Sequence, residues 1–302
     1  MTSEQVLQYC LSGLTVGSVY AIVAIGFNII YNATGIINFA QGEFLVIGAM
    51  TAISLCHHVP LAVAILAAVV VTAAVGFLID FLFIKWIKEA NVLRLIVMTI
   101  GISIVLREAV LHVWDEKVRA LPFFSGNEVS SILIEIPSLL FLPGLSARIS
   151  PQVLWVLGIS AILVIGLTLF FKLTLTGRAM RACACNRDAA RLSGINARRM
   201  VTYSFMLSAA IGAVAGCVIS PITQTQYDMG APLAIKGFTV AVLGGLGNSF
   251  AAVAAGILLG LLETFSIAIL PTAYTDAVSI AILLMVLSLR PTGLFSREEV
   301  PR

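Results

Sequence analysis

Long apolar runs separated by short polar stretches make up most of this chain. A helix of about 20 apolar residues crosses the hydrocarbon core of a bilayer. Such runs, some of them shorter, recur at about residues 6–31, 34–50, 60–84, 93–113, 152–171, 201–220, 237–250, 251–270 and 275–289. We see no strand-like alternation between them. The pattern predicts an all-α polytopic membrane protein, a bundle of about eight to ten transmembrane helices.

Composition supports this class. Hydrophobic residues make up 60% of the chain and charged residues 11%, whereas about a quarter of an ordinary soluble domain is charged. So little polar surface cannot cover a water-soluble globule of 302 residues. The net charge of +3 offers no broad basic surface for nucleic acid.

Basic residues predict the orientation, because loops rich in Lys and Arg stay in the cytoplasm. No Lys or Arg precedes Lys85, and Lys85 and Lys88 mark the first cytoplasmic turn. Residues 172–200 and the C-terminus, with Arg290 and Arg297, are also expected inside. The chain then forms one transmembrane domain over 1–302, with helix groups at 6–171 and 201–290, a cytoplasmic loop at 172–200 and a cytoplasmic tail at 291–302. Residues 114–150 are expected outside, where they could hold a short helix.

The basic segment 172–199 contains seven of the eighteen Lys and Arg residues. Gly177 and Gly194 bracket an Ala- and Arg-rich stretch, and because Ala and Arg favour helices while Gly ends them, we expect one short cytoplasmic helix. It keeps the loop inside and offers a docking surface. The candidate docking residues are Gly177, Arg178, Arg181, Arg187, Asp188, Arg191 and Gly194.

Polar side chains inside the apolar runs are candidates for a transport path. Asn38 and Gln41 share a helix face, whereas Glu43 would point about 140° away from Asn38 on a continuous helix. Either Glu43 has another partner, or the helix breaks near Gly42 and the three groups converge. An acid inside a span is costly unless paired or hydrated and is a functional hypothesis by default; the alternative places Glu43 at the membrane interface.

Two further features join this set. Asn28 belongs to a stripe of small and polar residues that suits close helix packing and could also face a path. Gly244 and Gly245 lie in a Gly-rich run that predicts a broken or tightly packed helix. The candidate path residues are Asn28, Asn38, Gln41, Glu43, Gly244 and Gly245, and Glu263 is a second embedded acid.

The sequence contains no phosphate-binding loop, nucleophile elbow, H-E-x-x-H pair or zinc-ligand spacing. We therefore predict no catalytic residue, no metal and no cofactor. Three classes remain open: an ion-coupled secondary transporter, a passive channel, and the permease of a transporter driven by separate ATPases. The last class explains the embedded acids, the Gly-rich helices and the bracketed cytoplasmic helix together.

Three motifs resemble the LivH type of permease from bacterial ABC importers of branched-chain amino acids. They are GLTVGSVYAIVAIGFNIIYNATGIINFAQGEFLVIGAM at 13–50, TGRAMRACACNRDAARLSGIN at 176–196 and FTVAVLGGLGN at 238–248. The first is similar to the family pattern G-L-x-x-G-S-x-Y-A-L followed by T-G-x-I-N-F-A-H-G-E-F. This chain has Gln41 where the family often has His, and Asn32 where Gly is common.

The resemblance implies a permease subunit in the bacterial inner membrane that pairs with a second permease of the LivM type. Its further partners would be two ATPase subunits and a periplasmic substrate-binding protein. The second motif would be the segment that couples to the ATPases, and transport would proceed by alternating access. Related permeases carry urea, amides or aromatic acids, so the resemblance leaves those substrates as alternatives.

Overall fold

The apolar runs form helices that pack side by side. The computed structural model describes residues 3–86, 92–126, 132–136, 145–269, 271, 274–290 and 293–294. Six of its helices are long and apolar enough to cross a membrane. They are α1 (Ser3–Thr34), α3 (Leu61–Leu82), α4 (Val92–Trp114), α5 (Pro151–Leu173), α8 (Ala197–Thr223) and α10 (Ser249–Ile267).

Three shorter apolar helices complete the bundle: α2 (Gln41–Leu55), α9 (Gly230–Gly244) and α11 (Thr275–Leu289). Each has 15 residues and is therefore about 22 Å long, less than the roughly 30 Å of a hydrocarbon core. Seven of the nine predicted apolar segments correspond to single helices, and the all-α polytopic membrane class is confirmed. The other two predictions are displaced: 34–50 overlaps α2 only from Gln41, and 237–250 runs from α9 through a turn into α10. Residues 291–292 and 295–302 of the predicted tail, and Lys88, lie outside the described residues.

In the connection expected at 114–150, the described residues 114–126, 132–136 and 145–150 contain two strands and no short helix. β1 (Ile132–Ile136) pairs antiparallel with β2 (Leu145–Ile149), and Ile132 lies opposite Ile149. The reading that strand-like alternation is absent was wrong here. β2 reads LSARI, in which apolar and polar residues alternate, and β1 reads ILIEI, whose β-branched residues favour strands.

Helix α1 lies at the centre of the bundle, and glycines let its neighbours approach closely. A side chain at Gly17 would lie 2.6 Å from the carbonyl oxygen of Gly256, and one at Gly256 would lie 2.8 Å from the carbonyl oxygen of Gly17. Small residues at such spacing allow helix backbones to touch inside a membrane. The stripe predicted on α1 therefore forms the contact between α1 and the antiparallel α10. Helices α4 and α5 bury little of their surface and lie at the edge.

Candidate functional site

Glu43 lies in the first turn of α2 and is fully buried. Ser103 on α4 donates a hydrogen bond to Glu43 Oε1 over 2.9 Å. The guanidinium of Arg107, one turn further along α4, lies 3.6 Å from the same oxygen. The side chain of Arg107 is 30% exposed. The partner that the sequence left open for Glu43 is thus the α4 pair Ser103 and Arg107.

The predicted polar trio does not converge at one point. The chain does break, because α1 ends at Thr34 and α2 begins only at Gln41. Gln41 Nε2 donates to the carbonyl of Ser208 over 3.3 Å, and Ser208 Oγ donates to Gln41 Oε1 over 2.5 Å. Asn38 Oδ1 instead accepts from the backbone N–H of Ala40. Glu43 therefore has side-chain partners on α4 that Asn38 and Gln41 do not share.

Asn28 forms a hydrogen bond with the Gly-rich turn between α9 and α10. Its Oδ1 accepts from the backbone N–H of Gly247 over 3.0 Å, and Asn32 donates to the carbonyl of Gly247 over 3.0 Å. Helix α9 ends at Gly244, and Gly245 has φ +91°, a backbone conformation that glycine adopts without strain. The predicted break is present, and its contacts with α1 fix how the two helices meet.

Several polar atoms of these residues are buried without a hydrogen-bond partner among the described residues. Within the predicted path set they are Asn28 Nδ2, Asn38 Nδ2 and Glu43 Oε2, and Arg107 Nε on α4 shares this state. A buried polar group without a partner is costly in a folded protein. Glu43 and Arg107 thus form a charged pair in which each side chain keeps one buried polar atom without a hydrogen-bond partner among the described residues.

Glu263, the second embedded acid, pairs with Lys236, a partner that the sequence did not predict. Lys236 Nζ lies 2.6 Å from Glu263 Oε1 and 2.9 Å from Asp276 Oδ1. It also lies 5.5 Å from the centre of the Tyr20 ring. The separation of 27 positions between Lys236 and Glu263 gives no periodic signal, because the pair spans two different helices.

The basic loop folds as two short helices, and the expectation of a single one was wrong. α6 covers Leu175–Cys185 and α7 covers Arg187–Leu192. Asn186 separates them, because its extended backbone leaves the helix and its side chain accepts from the N–H groups of Asp188 and Ala189. Such capping is typical of a helix start.

Gly177 and Gly194, the two glycines that bracket the basic stretch, have different structural roles. Gly177 lies inside the first turn of α6, where it packs directly on the backbone of Phe170. Gly194 has φ +81° and follows the end of α7, as in a glycine helix stop. Burial raises the pKa of the Cys183 thiol on α6, which stays neutral and packs as an apolar group.

Four cations surround a surface pocket of about 470 Å³ beside α7: Lys85, Arg187, Arg191 and Arg198. The buried carboxylate of Asp80 on α3 is the acid at its base, and it accepts from Thr202 Oγ1 over 2.5 Å. Of the predicted docking residues, Arg187 and Arg191 line this basic pocket, and Asp188 lies 3.4 Å from Arg191. Arg181 lines a different cavity, and Arg178 is exposed.

Known proteins resemble this chain over nearly its whole length. Residues 9–287 match the family described as branched-chain amino acid transport system, permease component. The chain is 34% identical to the high-affinity branched-chain amino acid transport system permease protein BraD of Pseudomonas aeruginosa, an alignment that covers 98% of this chain and 97% of BraD. It is 33% identical to the protein of the same description named LivH in Escherichia coli, at the same coverage.

A second type of permease is also similar. The permease protein LivM of Escherichia coli, named for the same kind of transport system, is 28% identical over 81% of this chain and 60% of its own length. The family match and the full-length relatives agree with the helical architecture, the multi-pass character and the sequence motifs. The chain therefore belongs to the family of permease components of branched-chain amino acid transport systems.

Proposed function

We propose that this chain is a permease subunit of an ATP-binding-cassette importer that moves branched-chain amino acids across the bacterial inner membrane. The observation that carries the proposal is the full-length similarity to proteins named as permeases of such systems. Its partners would be a second permease of the LivM type, two ATPase subunits and a periplasmic substrate-binding protein. The added similarity to LivM supports a pair of related permeases.

The chain itself would be non-catalytic, and the energy would enter through α6 and α7. The sequence has no phosphate-binding loop, so ATP would be hydrolysed by separate subunits. The basic pocket beside α7 presents four cations to such a partner, and closure of the ATPases would move α6 and α7 and switch the membrane path between its two open sides. This movement is alternating access.

The same geometry supports the proposed sidedness. Gly293, after α11, packs against Gly245 in the Gly-rich turn. Asn32 and Gly247 of that region border the cavity that also contains Lys172 and Arg181. The end of α11 and the basic loop thus lie at one end of the bundle, which supports a cytoplasmic position for both.

Charge reversal tests the docking surface. The double variant Arg187→Glu with Arg191→Glu places two acids in the basic pocket, and we expect it to lose the ATPase subunits on affinity purification while it still inserts in the membrane. Arg290→Glu is the matched control, because it reverses one charge at the same end of the bundle outside the pocket, and it should retain them. Undiminished ATPase recovery with the double variant contradicts this coupling surface.

Glu43 is the predicted path residue that the contacts favour most. It is buried at the start of a short helix, and one of its oxygens has no partner among the described residues. We propose that substrate passes beside Glu43 and Arg107, while Asn28, Gly244 and Gly245 fix the adjoining turn. Asn38 and Gln41, at the break before α2, would shape the entrance to that helix.

Two alternatives predict other results. An ion-coupled secondary transporter would carry substrate in vesicles that contain this chain alone, with an ion gradient and without ATP. A permease of the same type for urea, amides or aromatic acids would still require ATP and partners. Identification of the ligand bound by the partner binding protein, encoded beside this chain, would distinguish these substrates from branched-chain amino acids.

A further inference from the structure

A cavity of about 250 Å³ opens between α5, α6 and the start of α10. Its surface is mostly apolar, and polar groups are gathered at one edge. The apolar part comes from Ile25, Val164, Leu167, Phe171 and Phe250. The polar edge is formed by Asn32, Lys172, Arg181, Asn248 and Ser249.

The polar edge carries positive charge. Lys172 lies in the last turn of α5, and Arg181 lies on α6. Both side chains are exposed, and neither forms an ion pair with a described residue. Helix α10 begins at Ser249 beside the cavity, so the positive end of its dipole adds to the same field. No carboxylate is among the described residues that line the cavity.

The cavity lies at the height where lipid headgroups are found. Helix α5 has 23 residues and is about 34 Å long, so it can span the hydrocarbon core completely. Lys172 near its end is then at the membrane–water boundary, while Val164 and Leu167 lie in the hydrocarbon region. Because α5 buries little of its surface, the cavity is accessible from the side of the bundle.

We propose that this cavity binds one anionic phospholipid. The phosphate would lie on Lys172 and Arg181, and part of an acyl chain would follow the apolar surface of α5. A ligand with a negative phosphate and a hydrocarbon tail satisfies both halves of the cavity, whereas a free anion uses only the cations. Basic pockets between helices at the cytoplasmic face of membrane proteins bind such headgroups.

The lipid would join the basic loop to the bundle. Arg181 belongs to α6, which already packs on α5 through Gly177 and Phe170, and a phosphate shared by Arg181 and Lys172 strengthens that contact. Arg181 therefore has a role apart from Arg187 and Arg191 in the basic pocket. Loss of the lipid would loosen α6 and leave that pocket in place.

Native mass spectrometry of the full chain in detergent tests the proposal. Phosphatidylglycerol and phosphatidylcholine with identical acyl chains are added in steps, and we expect one phosphatidylglycerol to bind at least about tenfold more tightly. Lys172→Gln and Arg181→Gln should each weaken this binding about fivefold, and together about 25-fold. Arg290→Gln, a control cation at the same end outside the cavity, should leave it unchanged.

A second variant separates the lipid from a free anion. Thr168→Trp fills the cavity from α5 and keeps both cations, so it should lower phosphatidylglycerol binding strongly. Equal affinity for the two lipids, or wild-type phosphatidylglycerol binding by the double cation variant, overturns the proposal. Displacement of the lipid by millimolar inorganic phosphate identifies a simple anion site and also overturns it.

Discussion

Two buried glutamates in the same bundle differ in how completely their carboxylate oxygens are paired. Glu263 on α10 accepts from Lys236 over 2.6 Å, while its other oxygen lies 3.3 Å from Ser279 Oγ. Glu43 on α2 lies 3.6 Å from Arg107, and its Oε2 has no partner among the described residues. Both acids are at most 6% exposed, so the difference between them lies in their partners and not in their depth.

The difference separates a structural acid from a functional candidate. Removal of one partner from a well-formed buried ion pair leaves an uncompensated charge, which strongly destabilises a fold. A charge that is buried and only half satisfied adds little stability, so its presence inside a membrane protein is a hypothesis of a functional site. We therefore assign Glu263 to the architecture of α9, α10 and α11, and propose the transport role for Glu43.

Glu263→Gln should give the largest effect on stability. The change leaves Lys236, whose side chain is 14% exposed, with only the largely exposed Asp276 as a charged partner. We expect a loss of about 3 kcal/mol in the free energy of unfolding, measured by denaturation of the purified chain in detergent. The molecules that remain folded should transport normally, and a stable but inactive variant would reverse the assignment.

Glu43→Gln should change transport more than stability. Arg107 is partly exposed and can reach water, so the loss of its acidic neighbour costs less than about 1 kcal/mol of unfolding free energy. Loss of a charge-assisted contact with substrate worth about 1.5 kcal/mol lowers the uptake rate about tenfold. Uptake at the wild-type rate with normal expression would make Glu43 structural.

Gln41→Ala tests the neighbour of Glu43 and should have a smaller effect on transport. It removes both hydrogen bonds to Ser208, at a cost of about 1–2 kcal/mol in unfolding free energy, while the Ser208 hydroxyl can still donate to the carbonyl of Gly26. The uptake rate per folded molecule should fall less than in Glu43→Gln. A larger fall in the uptake rate than in Glu43→Gln would indicate that the transport path runs along the α8 side of α2 and not along its α4 side.

Asp276→Asn should have the smallest effect. The Asp276 side chain is 69% exposed, and exposed ion pairs contribute about 0.2–1 kcal/mol. We expect an unfolding free energy within about 0.5 kcal/mol of the wild type, measured under the conditions used for Glu263→Gln. A loss as large as that of Glu263→Gln would show that Lys236 depends on both acids equally.

The positions of most helices could be predicted from the sequence, because apolar runs directly report which segments avoid water. Helices α2 and α9 are exceptions, since they begin at Gln41 and Gly230 and not at the predicted 34 and 237. The predicted span 275–289 coincides with α11 (Thr275–Leu289), and 152–171 lies within α5. The division of the basic loop could not be predicted from Gly177 and Gly194, because the break depends on the capping side chain of Asn186. The two strands were missed because each covers only five residues, and of the two only β2 alternates apolar and polar residues.

The partners of the buried charges could not be predicted. The sequence identified Glu43 as unusual and allowed it a partner elsewhere, but Ser103 lies 60 residues away on a helix whose rotation the apolar pattern does not fix. Arg107 is adjacent to Glu108 in the sequence, and adjacent residues on a helix do not face each other, so the sequence predicted no partner for it. Side-chain pairs between helices depend on how the helices pack, and periodicity within one helix carries no information about that.

The most direct measurement compares ATP-driven uptake by complexes that carry Glu43→Gln or Glu263→Gln. Each complex is reconstituted with its ATPases and binding protein in proteoliposomes, and leucine uptake is divided by the amount of folded permease. We expect about one tenth of the wild-type rate for Glu43→Gln and nearly the full rate for Glu263→Gln. Equal rates for the two variants, or leucine uptake without ATP, would contradict the transport role of Glu43 in an ATP-driven importer.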